Sequence, residues 1–279
     1  MVLAAAGLVA TAILSALVLV MNGMSMSDLM ALGQEGMQGL SAGIIRTLLA
    51  VQHLFVFILP GLVFGLIYYR SQIWKGLDLA KLPNWVLIVA GILFLLAAYP
   101  LVNLSFLANE AIPLPSWAAD YEDQAEETLK SILEMNSPVI FILNLLLIAV
   151  LPGIGEELLF RGIVQKQIGG ILRSPIAAIW IAAFIFSAIH MQFEGFLPRL
   201  ILGVVLGYLY YWTKNLWVPI IAHAFNNGIQ VVLIYAMDMD LSDFEDQGSD
   251  QLKWWMILLG VVAMFFLYRI IIKNKPVSE

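Results

Sequence analysis

The run Gly153-Ile154-Gly155-Glu156-Glu157-Leu158-Leu159-Phe160-Arg161 sets two carboxylates side by side in otherwise apolar surroundings. On a helix Glu157 and Arg161 stand at i and i+4 with the acid N-terminal, the better order for an ion pair. Glu156 points about 100° away around the same helix. One carboxylate is thereby held and the other is left to face a cavity. A second polar group, His190, closes the apolar run that contains Phe186 and Ser187. A third lies in Pro219-Ile220-Ile221-Ala222-His223-Ala224-Phe225-Asn226-Asn227. There His223 and Asn227 share a helix face at i and i+4, about a turn beyond a proline that can open the backbone. Asn226 points elsewhere and reads as a bridge between helices. His53 stands alone in an apolar stretch and reads as a structural hydrogen-bonding residue outside the site.

A free carboxylate, two imidazoles and a carboxamide form an inventory for activating a water molecule. Glu156 can accept the water's proton as general base, with His190 holding that water or a metal that carries it. His223 and Asn227 can donate to a developing oxyanion, an effect worth about 3 to 4 kcal/mol per donor. Other hydrolytic inventories are missing. The histidines at 53, 190 and 223 make no H-E-x-x-H pair, so the usual two-histidine zinc helix is excluded. Every Asp falls in a loop, which removes an intramembrane aspartyl dyad. No G-x-S-x-G occurs, and Ser187 has no acidic partner on its helix, so a serine route is weak. The chain has no cysteine, hence no thiolate ligand or nucleophile.

These residues sit in a chain of 279 residues that is 61% apolar and only 12% charged, with mean hydropathy +0.90. Such a composition predicts a membrane protein. A spanning helix needs about 20 apolar residues, and eight candidates follow: 2–21, 45–69, 85–107, 138–153, 175–190, 196–212, 216–237 and 254–272. The fold class is therefore all-α, a polytopic membrane helix bundle of about eight transmembrane helices. No polar linker or internal repeat divides it, so residues 1–279 read as one domain with its motif-bearing core at 138–237. The first span is read as retained, not as a cleaved signal peptide.

The positive-inside rule orients the bundle with both termini cytoplasmic. Ten of the fourteen basic residues then lie on the inner side: Arg70, Lys75, Lys81, Arg161, Lys166, Arg173, Lys214, Arg269, Lys273 and Lys275. The acidic runs 120–134 and 238–250 fall outside and read as solvated loops. A net charge of −6 without a basic cluster excludes nucleic acid as a partner. Gly39/Gly43, Gly61/Gly65 and Gly203/Gly207 have the spacing of close helix contacts.

Glu156-Glu157 with Arg161, Phe186 with His190, and His223 with Asn227 resemble the E-E-x-x-x-R, F-x-x-x-H and H-x-x-x-N motifs of the CAAX protease and bacteriocin-processing (CPBP, or Abi/Rce1-like) family. The resemblance covers about 153–230 by motif, and residues 1–137 carry none of it. It implies an intramembrane endopeptidase in which Glu156 and His190 activate water and His223 and Asn227 form the oxyanion site. Glu157, Arg161 and Phe186 would support that site. Members are commonly described as metalloproteases and are also argued to act through glutamate and histidine alone. A divalent metal such as zinc, held by Glu156, His190 and His223, is thus a second route, but it removes His223 from the oxyanion role. The implied partners are membrane lipid and a protein or peptide substrate, lipidated or membrane-anchored. The implied location is a bacterial plasma membrane.

Two other readings use the same residues: a proton- or cation-coupled transporter, and a non-catalytic membrane scaffold or immunity protein. The hydrolase reading makes a geometric demand. Glu156 must meet His190 and His223, so the fourth helix has to continue past Pro152 to about Ile168, with Gly169-Gly170 as its stop.

Overall fold

A computed structural model describes residues 2–25, 27–28, 37, 39–237 and 252–275. The acidic run 238–250 lies outside the described residues. The principal helices are α1 (Val2–Met21), α2 (Ala42–Gly76), α3 (Trp85–Glu110), α4 (Ser116–Leu133), α5 (Pro138–Leu172), α6 (Pro175–Ala188), α7 (Phe196–Thr213), α8 (Trp217–Met237) and α9 (Trp254–Asn274). There is no strand among the described residues. Six helices, α2, α3, α5, α7, α8 and α9, are long and apolar enough to cross a membrane, while α1 and α6 contribute shorter apolar helices. The protein is an all-helical polytopic membrane bundle, and large side chains such as Ile67, Phe184, Phe265 and Phe266 are exposed on its outer faces.

Polar caps start the helices where the sequence changes character. Ser41, Asn84, Ser137 and Ser174 each accept a backbone N–H from the first turn that follows, and Asn215 does so for Trp217. Pro138 and Pro175 occupy first-turn positions, where a missing N–H costs nothing. Pro219 sits equally early in α8, which runs unbroken from Trp217, so this proline does not open the backbone.

Three segments depart from expectation. The acidic run 120–134 is not a loop up to Leu133: it belongs to α4, with Ala118, Ile132 and Leu133 buried and Glu126 paired with Lys130. Its C-terminal end is tied down by Arg46, which donates to Asn144 Oδ1 and to the Ile132 carbonyl at 2.8 Å each. The fourth span does continue past Pro152, but Gly169-Gly170 does not stop it. Helix α5 ends at Leu172, where Arg173 turns left-handed at φ 52°, directly before the Ser174-Pro175 start of α6. Finally, Gly39 and Gly43 face open space, with nothing nearer than Ser41 Oγ at 4.0 Å. The other two pairs do pack. A Cβ on Gly61 would lie 2.8 Å from Leu158, and one on Gly203 would lie 3.0 Å from Ala183.

Two of the long helices widen into π-helical turns just ahead of a proline. His53–Ile58 precedes Pro60 in α2, and Leu145–Val150 precedes Pro152 in α5. Proline lacks the N–H and crowds the carbonyl four residues back, so the chain relieves the clash by a wider turn. A third wide turn, Phe160–Val164, follows in α5 without a proline. All three border the site.

Candidate active site

Glu156 and Glu157 sit midway along α5, where its neighbours can come close only because the flanking residues are glycines. A Cβ on Gly153 would lie 3.0 Å from the backbone nitrogen of Ala224 in α8, and one on Gly155 would lie 3.0 Å from Phe57 in α2. The two acids are buried, 5% and 0% exposed, so each must be matched by charge or hydrogen bonds.

They are matched very differently. Glu157 Oε1 takes Arg161 Nη1 at 2.6 Å and the Nδ1–H of His223 at 2.9 Å. Arg161 is fixed further by the Gly203 carbonyl at 2.8 Å and lies 5.0 Å from the centre of the Phe186 ring. That ring also packs edge-on against His190 and His223, with centroids at 5.0 and 6.0 Å. Phe186 is thus the shared wall between the ion pair and both imidazoles. Glu156 has looser company: His53 Nε2 is 3.5 Å from Oε1 and His223 Nε2 is 3.8 Å from Oε2. Its carboxylate opens on a cavity of about 300 Å³ lined also by Phe186, His190, Arg199, His223, Asn226 and Asn227.

The tautomers follow from the acceptors. The Nδ1 of His190 lies 2.7 Å from the Phe186 carbonyl, and that of His53 lies 3.0 Å from the Leu49 carbonyl. A carbonyl or an ion-paired carboxylate can only accept. All three histidines therefore carry their hydrogen on Nδ1. In the neutral form each leaves Nε2 as a lone pair, turned toward Glu156 in His53 and His223. His53 makes the structural bond expected of it and, through its other nitrogen, joins the site. Asn227 Nδ2 donates one hydrogen to the Ile148 carbonyl at 3.2 Å, a group in the wide turn 145–150. Asn226 accepts from Tyr99 Oη at 2.8 Å and donates to Asn227 Oδ1. It is the expected interhelical bridge, and it also lines the cavity. Ser187 is fully buried and donates to the Phe196 carbonyl, a structural role.

An anchored Nδ1–H is also the pattern of metal-ligating histidines. Among the described residues no three His, Cys, Asp or Glu side chains converge as a metal site.

The turn between α6 and α7 lines one side of the cavity through His190 and Gly195. With 14 residues, α6 rises only about 21 Å, and the turn that follows is level with the C-terminal end of α3 and with α4. Its backbone has internal partners. Asn109 of α3 donates to the Phe193 carbonyl and accepts from the Leu197 N–H. Trp117 of α4 packs edge-on against Phe193, and Glu122 accepts from the Glu194 N–H.

Residues 138–229, which contain all seven of the motif side chains, match the family model described as type II CAAX prenyl endopeptidase Rce1-like. That segment is thus similar to the CPBP family whose motifs it carries. It is 34% identical over 84 residues to "Uncharacterized protein YpbD" of Bacillus subtilis (strain 168), covering 29% of this chain and 40% of that protein. It is 34% identical over 83 residues to "Membrane-embedded CAAX protease MroQ" of Staphylococcus aureus (strain USA300), covering 28% of this chain and 33% of that one. The matches thus span less than half the length of either relative. No solved structure matches the chain significantly. His53 and Tyr99, from α2 and α3, reach the site from outside the matched segment. A lone histidine gave no sign in sequence of an acid 103 positions away.

Proposed function

We propose that this chain is an endopeptidase of the CAAX-protease type, hydrolysing a peptide bond with a water activated by Glu156 and His190 in a membrane-embedded cavity. One observation carries the reading. Of two adjacent buried carboxylates, one is bonded to Arg161 and His223 while the other opens on a cavity with no partner closer than 3.5 Å.

The charges of the cluster suggest how it works. Glu156, Glu157, Arg161 and the Arg199 of the same cavity sum to zero, and a buried cluster is least costly when neutral. The second amide hydrogen of Asn227 is left to donate to an oxyanion. With Nδ1–H given to Glu157, His223 joins it as a donor through Nε2 only as an imidazolium. Glu156 takes a proton from water as the oxygen attacks the carbonyl carbon, His190 Nε2 accepts the other water hydrogen bond, and Glu156 returns its proton to the leaving amine. The family's prenyl-endopeptidase description favours a lipidated or membrane-anchored substrate. The charge rule places both termini and the 173–174 and 214–216 turns in the cytoplasm.

The test compares peptide termini across the membrane proteome of cells making the wild type or equal amounts of Glu156→Ala. Termini that vanish with the substitution are the expected result, and a proteome in which none depends on Glu156 sinks the reading. Purified enzyme should stay active in a strong chelator. Loss of activity restored by zinc would instead make Glu156, His190 and His223 ligands.

A further inference from the structure

Besides Glu156 and the imidazoles, the cavity holds one more ionisable side chain among the described residues, Arg199 in the first turn of α7. Arg161 and Lys166 are paired with Glu157 and Asp78, whereas Arg46 and Arg199 are held by carbonyl and amide oxygens, and of these two only Arg199 lines the cavity. Arg199 has no carboxylate partner within 4 Å among the described residues. Its guanidinium is held by Gln192, whose carbonyl lies 3.3 Å from Nη1 and whose side-chain oxygen lies 2.7 Å from Nη2. Two of five N–H groups are so used, and three remain. A Cβ on Gly195 would lie 2.7 Å from Nη2, so a larger residue there would push the guanidinium aside. Asn109, Trp117 and Glu122 in turn fix that segment to α3 and α4. The carboxylates that act on Arg199 from beyond contact distance are half-buried Glu122, which accepts the Glu194 N–H, and Glu156 in the same cavity.

A half-buried guanidinium with an unused fork, on a rigid turn and in a cavity that holds a water-activating carboxylate, is built to receive a planar anion. We propose that Arg199 is a carboxylate-reading subsite: a carboxylate of the substrate docks on its guanidinium while the scissile carbonyl lies between Glu156 and His190. The inference rests on the hydrolase reading above and adds a specificity to it. Two sources supply this chemistry, the α-carboxylate of a free C-terminus and the side chain of an Asp or Glu near the cleaved bond. The cavity, at about 300 Å³, is at the small end for ligand sites.

The experiment uses full-length protein in lipid nanodiscs and three synthetic pools of random apolar peptides, read by mass spectrometry. One pool ends in a free carboxylate, one in a carboxamide, and one in a carboxamide with acidic side chains included. The wild type should turn over one carboxylate-bearing pool about ten- to a hundredfold faster than the neutral pool, as charge-assisted hydrogen bonds allow. Whichever pool gains names the source. Arg199→Gln should bring the ratio close to one, Arg199→Lys should leave part of it, and Gly195→Ala should lower it by displacing the guanidinium. Equal wild-type rates on all three pools overturn the subsite while leaving the hydrolase intact, and this comparison does not depend on any variant folding. A ratio unchanged in Arg199→Gln overturns it too. If no pool shows cleavage that Glu156→Ala abolishes, the hydrolase reading fails and the subsite falls with it.

Discussion

Two ionic clusters tie the bundle together, and they are satisfied to different degrees. At one end Asp78, just beyond α2, accepts from Tyr210 and pairs with Lys166 at 2.7 Å, while its backbone carbonyl takes the Leu216 N–H. Lys166 also donates to the Gly76 carbonyl at 2.7 Å. Every strong group there has a short partner, although the pair is only half-buried. At the other, Glu156 is almost wholly buried and its two histidine neighbours stand at 3.5 and 3.8 Å. The more expensive burial has the weaker local compensation. A fully engaged carboxylate holds helices in place, whereas one left short of partners keeps its lone pairs for a ligand or a proton.

Substitutions that remove one side of each cluster should separate these roles. Glu156→Gln is expected to lower peptidase activity by about four orders of magnitude or more, with a melting temperature in detergent near that of the wild type. A large loss of stability would make Glu156 structural. Arg161→Met should do the reverse, costing about 3 to 5 kcal/mol because it strands Glu157 without its guanidinium. Thermal unfolding and yield of folded protein check this, and an undiminished melting temperature would contradict the assignment. In the Asp78 cluster, Lys166→Met should cost about 1 kcal/mol or less, as partly exposed pairs do, and leave turnover unchanged.

The smallest effect concerns Glu194, outside the spans. Partial burial first, then the nearby Glu122, Asp123, Glu126 and Glu110, push its carboxyl above the usual range. A proton held more tightly folded than unfolded favours the fold at acid pH, and this contribution is lost as pH rises through the raised value. Glu194→Gln should therefore raise the melting temperature slightly at neutral pH, with the gain fading below about pH 4. A gain that grows toward acid would reverse the sign and refute the cause.

The contrast also explains what could be read from the sequence. Helix spans were legible because lipid imposes length and hydropathy, and Glu157 with Arg161 was legible because an i, i+4 pair is local. The helix through 120–133 was masked by its charge, since its apolar residues Ala118, Ile132 and Leu133 touch the bundle only near its ends. His53 and Arg199 were not legible as site residues, because their importance lies in neighbours brought by other helices. The Gly169-Gly170 stop failed for a related reason. A glycine pair permits an ending, but here left-handed Arg173 and the Ser174-Pro175 start of α6 impose one just after Leu172.

The wide turns of α2 and α5 have a rotational consequence. Each holds one more residue than an α-turn would, and an extra residue advances a helix by about 100°. In α5 the turn at 145–150 lies between Asn144, which faces Arg46, and Glu156, which faces the cavity. A uniform helix would swing one of these two out of phase with its neighbours. The insertion lets a single rod present two independently aimed sides, so that anchoring the bundle and aiming the carboxylate become separate angular choices.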